Sequence, residues 1–142
     1  MNLEDVISMY HEAAVEGSKG NAGPIKALYS NREDVTLANP FGSFVGGAAE
    51  VSDALDYALS RFSDGDVTRF DRVGTYESED LACIVEREHW QSKVAGRETI
   101  AAFDLRVTST FRREDDGWKL VHRHPDPIAT FDPDGPLRTS TG

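Results

Sequence analysis

Asn39 closes the run VTLANPFG immediately ahead of Pro40. A proline disfavours helical geometry at the residue before it, so Asn39 is extended and its amide is presented where the chain bends. A primary amide orients a carbonyl, a hydroxyl or water through hydrogen bonds, but it takes up no proton near neutral pH. The other residues with chemistry sit at alternate positions of three later segments. Glu86, Glu88 and Trp90 share one face with Ile84, Arg106 and Thr108 share one with Asp104 and Thr110, and Arg123 shares one with Val121. If these faces turn inward together, Glu86 or Glu88 lies between Arg106 and Arg123, where it is either a general base or half of an anchored ion pair. Once buried it must be paired, and arginine is the bidentate partner. His122 and His124, with His89 and Asp126 nearby, put two rings on one strand face, yet no further ligand pair at the right spacing joins them, so no metal or cofactor is expected. Cys83 is alone, which excludes an intrachain disulfide and a thiolate zinc site, and in DLACIVE it reads as a small core residue.

The elements that must position these groups follow from periodicity. Asn2 and Asp5 have the spacing of a capping box, and Leu3, Val6, Ile7, Tyr10, Ala13 and Ala14 recur at helical spacing, predicting a helix over 3–16 that Gly17, Gly20 and Gly23 terminate. Pro24 opens a short second helix through Ile25, Leu28 and Tyr29. Residues 34–39 form a strand. A third helix follows Gly46-Gly47 with the stripe Val51, Ala54, Leu55, Ala58, Leu59 and Phe62, closed by Asp64-Gly65. The period then changes to two, predicting strands over 66–77, 81–94, 99–113 and 117–124 joined by short polar turns, with Gly74 as a bulge or bend. Helices followed by a long meander predict an α+β domain over 1–128, and the Pro- and Asp-rich stretch 129–142 reads as an irregular tail. An antiparallel sheet of such long strands must twist and curl, and helices on its concave side enclose an interior that suits a small molecule.

Composition narrows the partners. The formal net charge is -10 over 142 residues, which argues against nucleic acid and anionic membranes. The N-terminal stretch MNLEDVISMY lacks the basic and apolar regions of a signal peptide, and no apolar run reaches the length of a membrane span. A soluble, reduced, cytoplasmic protein is the expectation.

The order helix, helix, strand, helix, four strands, with VTLANPFG and GWKLVHRH in their places, resembles the NTF2-like superfamily, in particular its SnoaL-like and ketosteroid-isomerase-like members, over residues 3–128. The resemblance implies an NTF2-like (cystatin-like) cone of three N-terminal helices on a curved, mainly antiparallel sheet. In steroid isomerases the strand-ending motif carries an Asp base, and Asn39 stands at that position. Their oxyanion-donating helix-1 tyrosine corresponds to Tyr10, and their second donor, a protonated Asp, falls on Thr108. Limonene-epoxide-hydrolase-like members carry Asn at the Asn39 position to hold water and Arg at the Arg106 position, but Thr108 and Arg123 stand where they have carboxylates. The association domain of calmodulin-dependent kinases, which has no chemistry of its own, is similar in the C-terminal half. What these imply together is a small-molecule-binding protein, of isomerase, cyclase or hydrolase type without the Asp base, or alternatively a non-catalytic pocket protein or association module.

Two assignments of the 99–113 strand remain. The resemblance turns Glu88, Arg106, Thr108 and Arg123 into the cone and leaves Phe103, Leu105, Val107 and Phe111 on an outer face that would form a homodimer. Burial alone places that apolar set inside and leaves the charges wet. The mixed signs at matching positions favour the first. The expected lining is then Tyr10, Asn39, Glu86, Glu88, Trp90, Arg106, Thr108 and Arg123 around a polar or anionic ligand, with Tyr10, Asn39 and Glu88 as the candidates for catalysis.

Overall fold

The computed structural model describes residues 1–129, so the irregular tail expected over 129–142 lies, apart from Ala129, outside the described residues. Helix α1 spans Leu3–Ser18 and starts with the anticipated capping box, Asp5 N–H donating to Asn2 Oδ1 at 2.9 Å and Asn2 N–H to Asp5 Oδ2 at 3.0 Å. Its buried stripe is Leu3, Val6, Ile7, Tyr10, Ala13 and Ala14, as the periodicity requires. Helix α2 covers Gly23–Leu28 with Pro24 in its first turn. Strand β1 (Thr36–Ala38) pairs with β2 (Phe44–Gly46), a three-residue strand the sequence does not announce. Helix α3 (Ala48–Ser60) is shorter than its apolar stripe suggested, because Phe62 already opens β3 (Phe62–Glu77). Strands β4 (Leu81–Val94), β5 (Ala101–Glu114) and β6 (Gly117–Pro127) complete the meander.

The six strands form one sheet in the order β2-β1-β6-β5-β4-β3, antiparallel except where β1 runs parallel to β6. Three register shifts interrupt β3, one of them between Arg72 and Gly74, so Gly74 does mark a bulge. A further shift lies in β6, where Leu120 opposes Phe111 and His122 opposes Thr110, leaving Val121 as the extra residue. Leu120 and Val121 are therefore both buried, and the alternation restarts so that Arg123 faces inward.

The phase of β5 corrects the sequence expectation. Leu105, Val107, Ser109 and Phe111 are buried, Phe103 is half-buried and packs with them, and Arg106 is exposed. The hydrophobic term decides this, since turning four apolar side chains outward would forfeit roughly 1.5–3 kcal/mol apiece. The apolar outer face invoked for a homodimer is thus the inner wall of the cone. Facing outward instead are Arg87, paired with Asp104 at 2.7 Å, and His89, between Asp71 at 2.8 Å and Asp104 at 3.1 Å. Cys83 is also on that side, half-buried rather than in the core.

Candidate functional site

Alternation on β4 sends Ile84, Glu86, Glu88 and Trp90 to the concave side, as expected, and α1 crosses above them. The Glu88 carboxylate has no solvent exposure. Its Oε1 accepts from Trp90 Nε1 at 2.9 Å and Arg123 Nη2 at 3.2 Å, while its Oε2 accepts from Arg123 Nη1 at 3.1 Å and the Tyr10 hydroxyl at 3.3 Å. Two donors on each oxygen fill a carboxylate's acceptor capacity. Tyr10 OH in turn accepts from Ser109 Oγ at 2.7 Å and from Arg123 Nη1. Burial, only partly countered by the Arg123 charge, pushes the Tyr10 phenol well above its ordinary value, so it is a neutral donor here. Burial works against the Arg123 guanidinium, but Glu88 outweighs it and holds the charge in place. With both oxygens saturated in this way, Glu88 anchors Arg123, Trp90 and Tyr10.

Glu86, the second carboxylate, belongs to a separate cluster. Its Oε1 lies 2.8 Å from His11 Nε2 and its Oε2 2.9 Å from Arg72 Nε, and the His11 ring stacks on Phe70 at 3.9 Å. Burial alone would raise the Glu86 pKa, but the hydrogen bonds from His11 and Arg72 prevail and lower it. A depressed native-state pKa contributes stability that is complete above the unfolded value of about 4.3 and lost as pH falls through the native one. Urea midpoints are therefore expected to drop more steeply between pH 5 and 3 for the native protein than for Glu86→Gln. Parallel profiles would mean that Glu86 is not held by these partners.

Asn39 is a turn residue in the structure. Its Oδ1 accepts from Phe41 N–H at 3.0 Å and Ser43 N–H at 3.4 Å, closing the turn. Asn39 lies one residue beyond β1, and its Nδ2 is buried with no hydrogen-bond partner among the described residues. Leaving such a donor unmet costs roughly 1–3 kcal/mol. Phe41, beyond the turn, meets Phe62 edge-on at 5.6 Å, and Phe62, Trp90 and Phe103 pack with centroids 5.1 to 6.1 Å apart. The inner side of the sheet thus carries an aromatic cluster and a neutralised ion pair, and among the described residues the Asn39 Nδ2 lacks an acceptor.

Of the anticipated lining, Tyr10, Glu88, Trp90 and Arg123 are brought together, Asn39 closes the turn after β1, and Glu86 stands aside with His11. Arg106 and Thr108 lie on the opposite face of β5 and take no part. Ser109, His11 and Arg72 were not anticipated. Ser109 was legible in principle, two residues from both Val107 and Phe111, whereas the His11 and Arg72 contacts depend on how α1 lies across the bulged β3. Among the described residues no group of three or more His, Cys, Asp or Glu is placed to hold a metal ion, and no helix is long and apolar enough to cross a membrane.

Residues 3–127 match the SnoaL-like domain family. No curated protein sequence matches the chain. Solved structures with the same fold include a candidate dehydratase of the NTF2-like family from Streptomyces avermitilis, 19% identical with a TM-score of 0.71 over 90% of this chain and 94% of that one. A ketosteroid isomerase-like protein from Erwinia carotovora atroseptica is 14% identical with a TM-score of 0.73 over 90% and 95% of the two chains. A candidate calcium/calmodulin-dependent protein kinase type II association domain from Thiobacillus denitrificans is 20% identical with a TM-score of 0.70 over 90% and 96%. At these identities the likeness is one of fold.

Proposed function

This chain belongs to the SnoaL-like domain family, with an NTF2-like fold, and on that premise we propose that it binds a neutral small molecule in the cone through the Asn39 amide. The buried, unpartnered Asn39 Nδ2 carries the reading, since a carbonyl or hydroxyl oxygen of a ligand is the acceptor it lacks. The wall of Phe62, Trp90 and Phe103 suits a flat, largely apolar body. An anionic ligand fits less well than the sequence suggested, because the inward guanidinium of Arg123 is neutralised by Glu88 and Arg106 is outside. Binding rather than turnover is the reading, as Asn39 accepts no proton and Glu88 has no acceptor capacity to spare.

Titration of Trp fluorescence with 2-acetylnaphthalene, naphthalene and 2-naphthoate tests it. The ketone is expected to bind more tightly than either of the others. Asn39→Asp keeps the Oδ1 that closes the turn but removes the donor, so it should weaken the ketone about tenfold, the scale of one hydrogen bond, and leave naphthalene unchanged. A preference for naphthoate would overturn the neutral-ligand reading, and no binding of any of the three would overturn the pocket.

A further inference from the structure

The end of β6 leaves part of its neighbour uncovered. The last bond between the two strands on that side runs from Ile128 N–H to the Asp104 carbonyl at 2.9 Å, one step past the pair Leu105–Pro127. Strand β5 reaches further, through Phe103, Ala102 and Ala101, which pair with Trp90, Gln91 and Ser92 of β4. On the β6 side no described residue stands opposite these three. Alternate residues of an antiparallel ladder direct both N–H and C=O to the same neighbour, so Ala102, two before Asp104, turns its pair to this open side. Ala101 and Ala102 are exposed and Phe103 is half-buried, which makes a short apolar edge of the kind that proteins cover.

The sequence that leaves β6 has the length and the pattern for this edge. Continuing the register sets Ala129 opposite Phe103, Thr130 opposite Ala102 and Phe131 opposite Ala101. Directly opposed residues share a face, and Leu105, opposite Pro127, is buried on the inner one. Alternation from Arg123 and Pro125 therefore carries Ala129 and Phe131 inward and Thr130 outward. Sizes complement across the pairs: Ala129 leaves room for the Phe103 ring, and Phe131 covers Ala101 within diagonal reach of Phe103. Pro125 and Pro127 fall where an N–H would point away from β5, so they leave its ladder intact. Pro133-Asp134-Gly135, a turn sequence, follows just past the point where β5 begins.

We infer that the free edge of β5 is a docking site for the chain's own residues 129–131, which continue β6 along it and add Phe131 to the cluster of Phe62, Trp90 and Phe103. A strand is specified because the open backbone groups of Ala102 need a paired backbone, and Thr130 stands opposite them in register. Phe131 then shields the aromatic cluster on its β6 side. The docking does not depend on whether the cone takes a ligand. A second copy of the chain pairing through the same edge is the competing occupant.

Amide hydrogen exchange, followed by NMR at low and high protein concentration, tests the pairing. The Ala102 amide is expected to be protected in the full chain and to exchange roughly tenfold faster when the chain is ended at Ile128, while the Thr108 amide, opposite His124, changes less than about threefold. Thr130→Pro removes the N–H that would donate to the Ala102 carbonyl in a chain of full length, so it should open Ala102 comparably, and Ser140→Pro should not. Phe131→Ser should make Trp90 roughly twice as accessible to acrylamide quenching, whereas Leu137→Ser leaves it unchanged. Trp118, at the opposite end of β6, contributes a constant background. Free exchange of Ala102 in the full chain would overturn the docking. So would protection that survives truncation, or that rises with protein concentration and so assigns the edge to a second copy. Equal quenching in the Phe131 and Leu137 variants would overturn the inward placement of Phe131.

Discussion

Arg123→Met is expected to reduce the free energy of unfolding by about 3–5 kcal/mol, because it strands the Glu88 carboxylate in a site without solvent exposure. The loss would be a large share of the ~5–15 kcal/mol that holds a domain of this kind together. It arises from the abandoned charge more than from any net worth of the ion pair, which leads to a second result. Glu88→Leu placed in the same chain should recover much of the stability, since exchanging both members of a buried pair for apolar groups is often neutral or better. Arg123→Lys should fall between, as an ammonium cannot span both oxygens of Glu88 while also reaching Tyr10. Arg106→Leu, on the outward face, should change stability by no more than about 0.5 kcal/mol. Urea midpoints followed by Trp fluorescence decide the matter. A protein that loses as much from Arg106→Leu as from Arg123→Met would have β5 the other way round.

Phe111→Ala should be comparably damaging, at about 3–5 kcal/mol. Its ring is 0% exposed and meets the Tyr10 ring edge-on at 5.7 Å, so truncation opens a cavity against the residue that links Ser109, Arg123 and Glu88. Thr110→Ala, one position away, removes only a half-buried hydroxyl and methyl from the outward side and should alter stability by less than about 1 kcal/mol. Thermal unfolding of the two variants reads the phase of the strand directly. Similar shifts for both would contradict the inward placement of Phe111.

The strand phase is where sequence reasoning misled, and the reason is instructive. On β4 the inward set mixes Ile84 and Trp90 with Glu86 and Glu88, so polarity gave no warning; alternation grouped these residues, and the family resemblance turned them inward. On β5 the two faces separate cleanly into Phe103, Leu105, Val107 and Phe111 against Arg106, Thr108 and Thr110. There the plain hydrophobic argument sufficed, and the likeness to relatives with a polar residue at the Thr108 position pulled the other way. The helices were legible because α1 carries both its capping signal and an uninterrupted stripe. Strand β2 was not, since three residues, FVG, between two glycine-containing turns offer too short a pattern for a period to emerge. Asn39 was legible as a residue in an extended, turn-closing position. That its second amide hydrogen would be left without an acceptor depends on what surrounds it in three dimensions.

The extra residue at Val121 has a consequence for how this chain should be aligned with others. Because the bulge absorbs one position, Leu120 and Arg123 project the same way although they stand three positions apart, and Trp118 and Pro125 continue the same side on either flank. In a homologue with an unbroken β6, the residue equivalent to Arg123 stands two places after the equivalent of Leu120. An alignment without a gap would match Arg123 to an outward side chain and set the imidazole of His122 against the inward one. Loss of the Val121 codon would leave every later side chain on its present side, whereas an inserted codon within the paired stretch 122–127 would exchange the two surfaces beyond it. Length variation in this strand is therefore informative. A one-residue gap at 121 joins sequences with equivalent interiors, and gapless similarity across it does not.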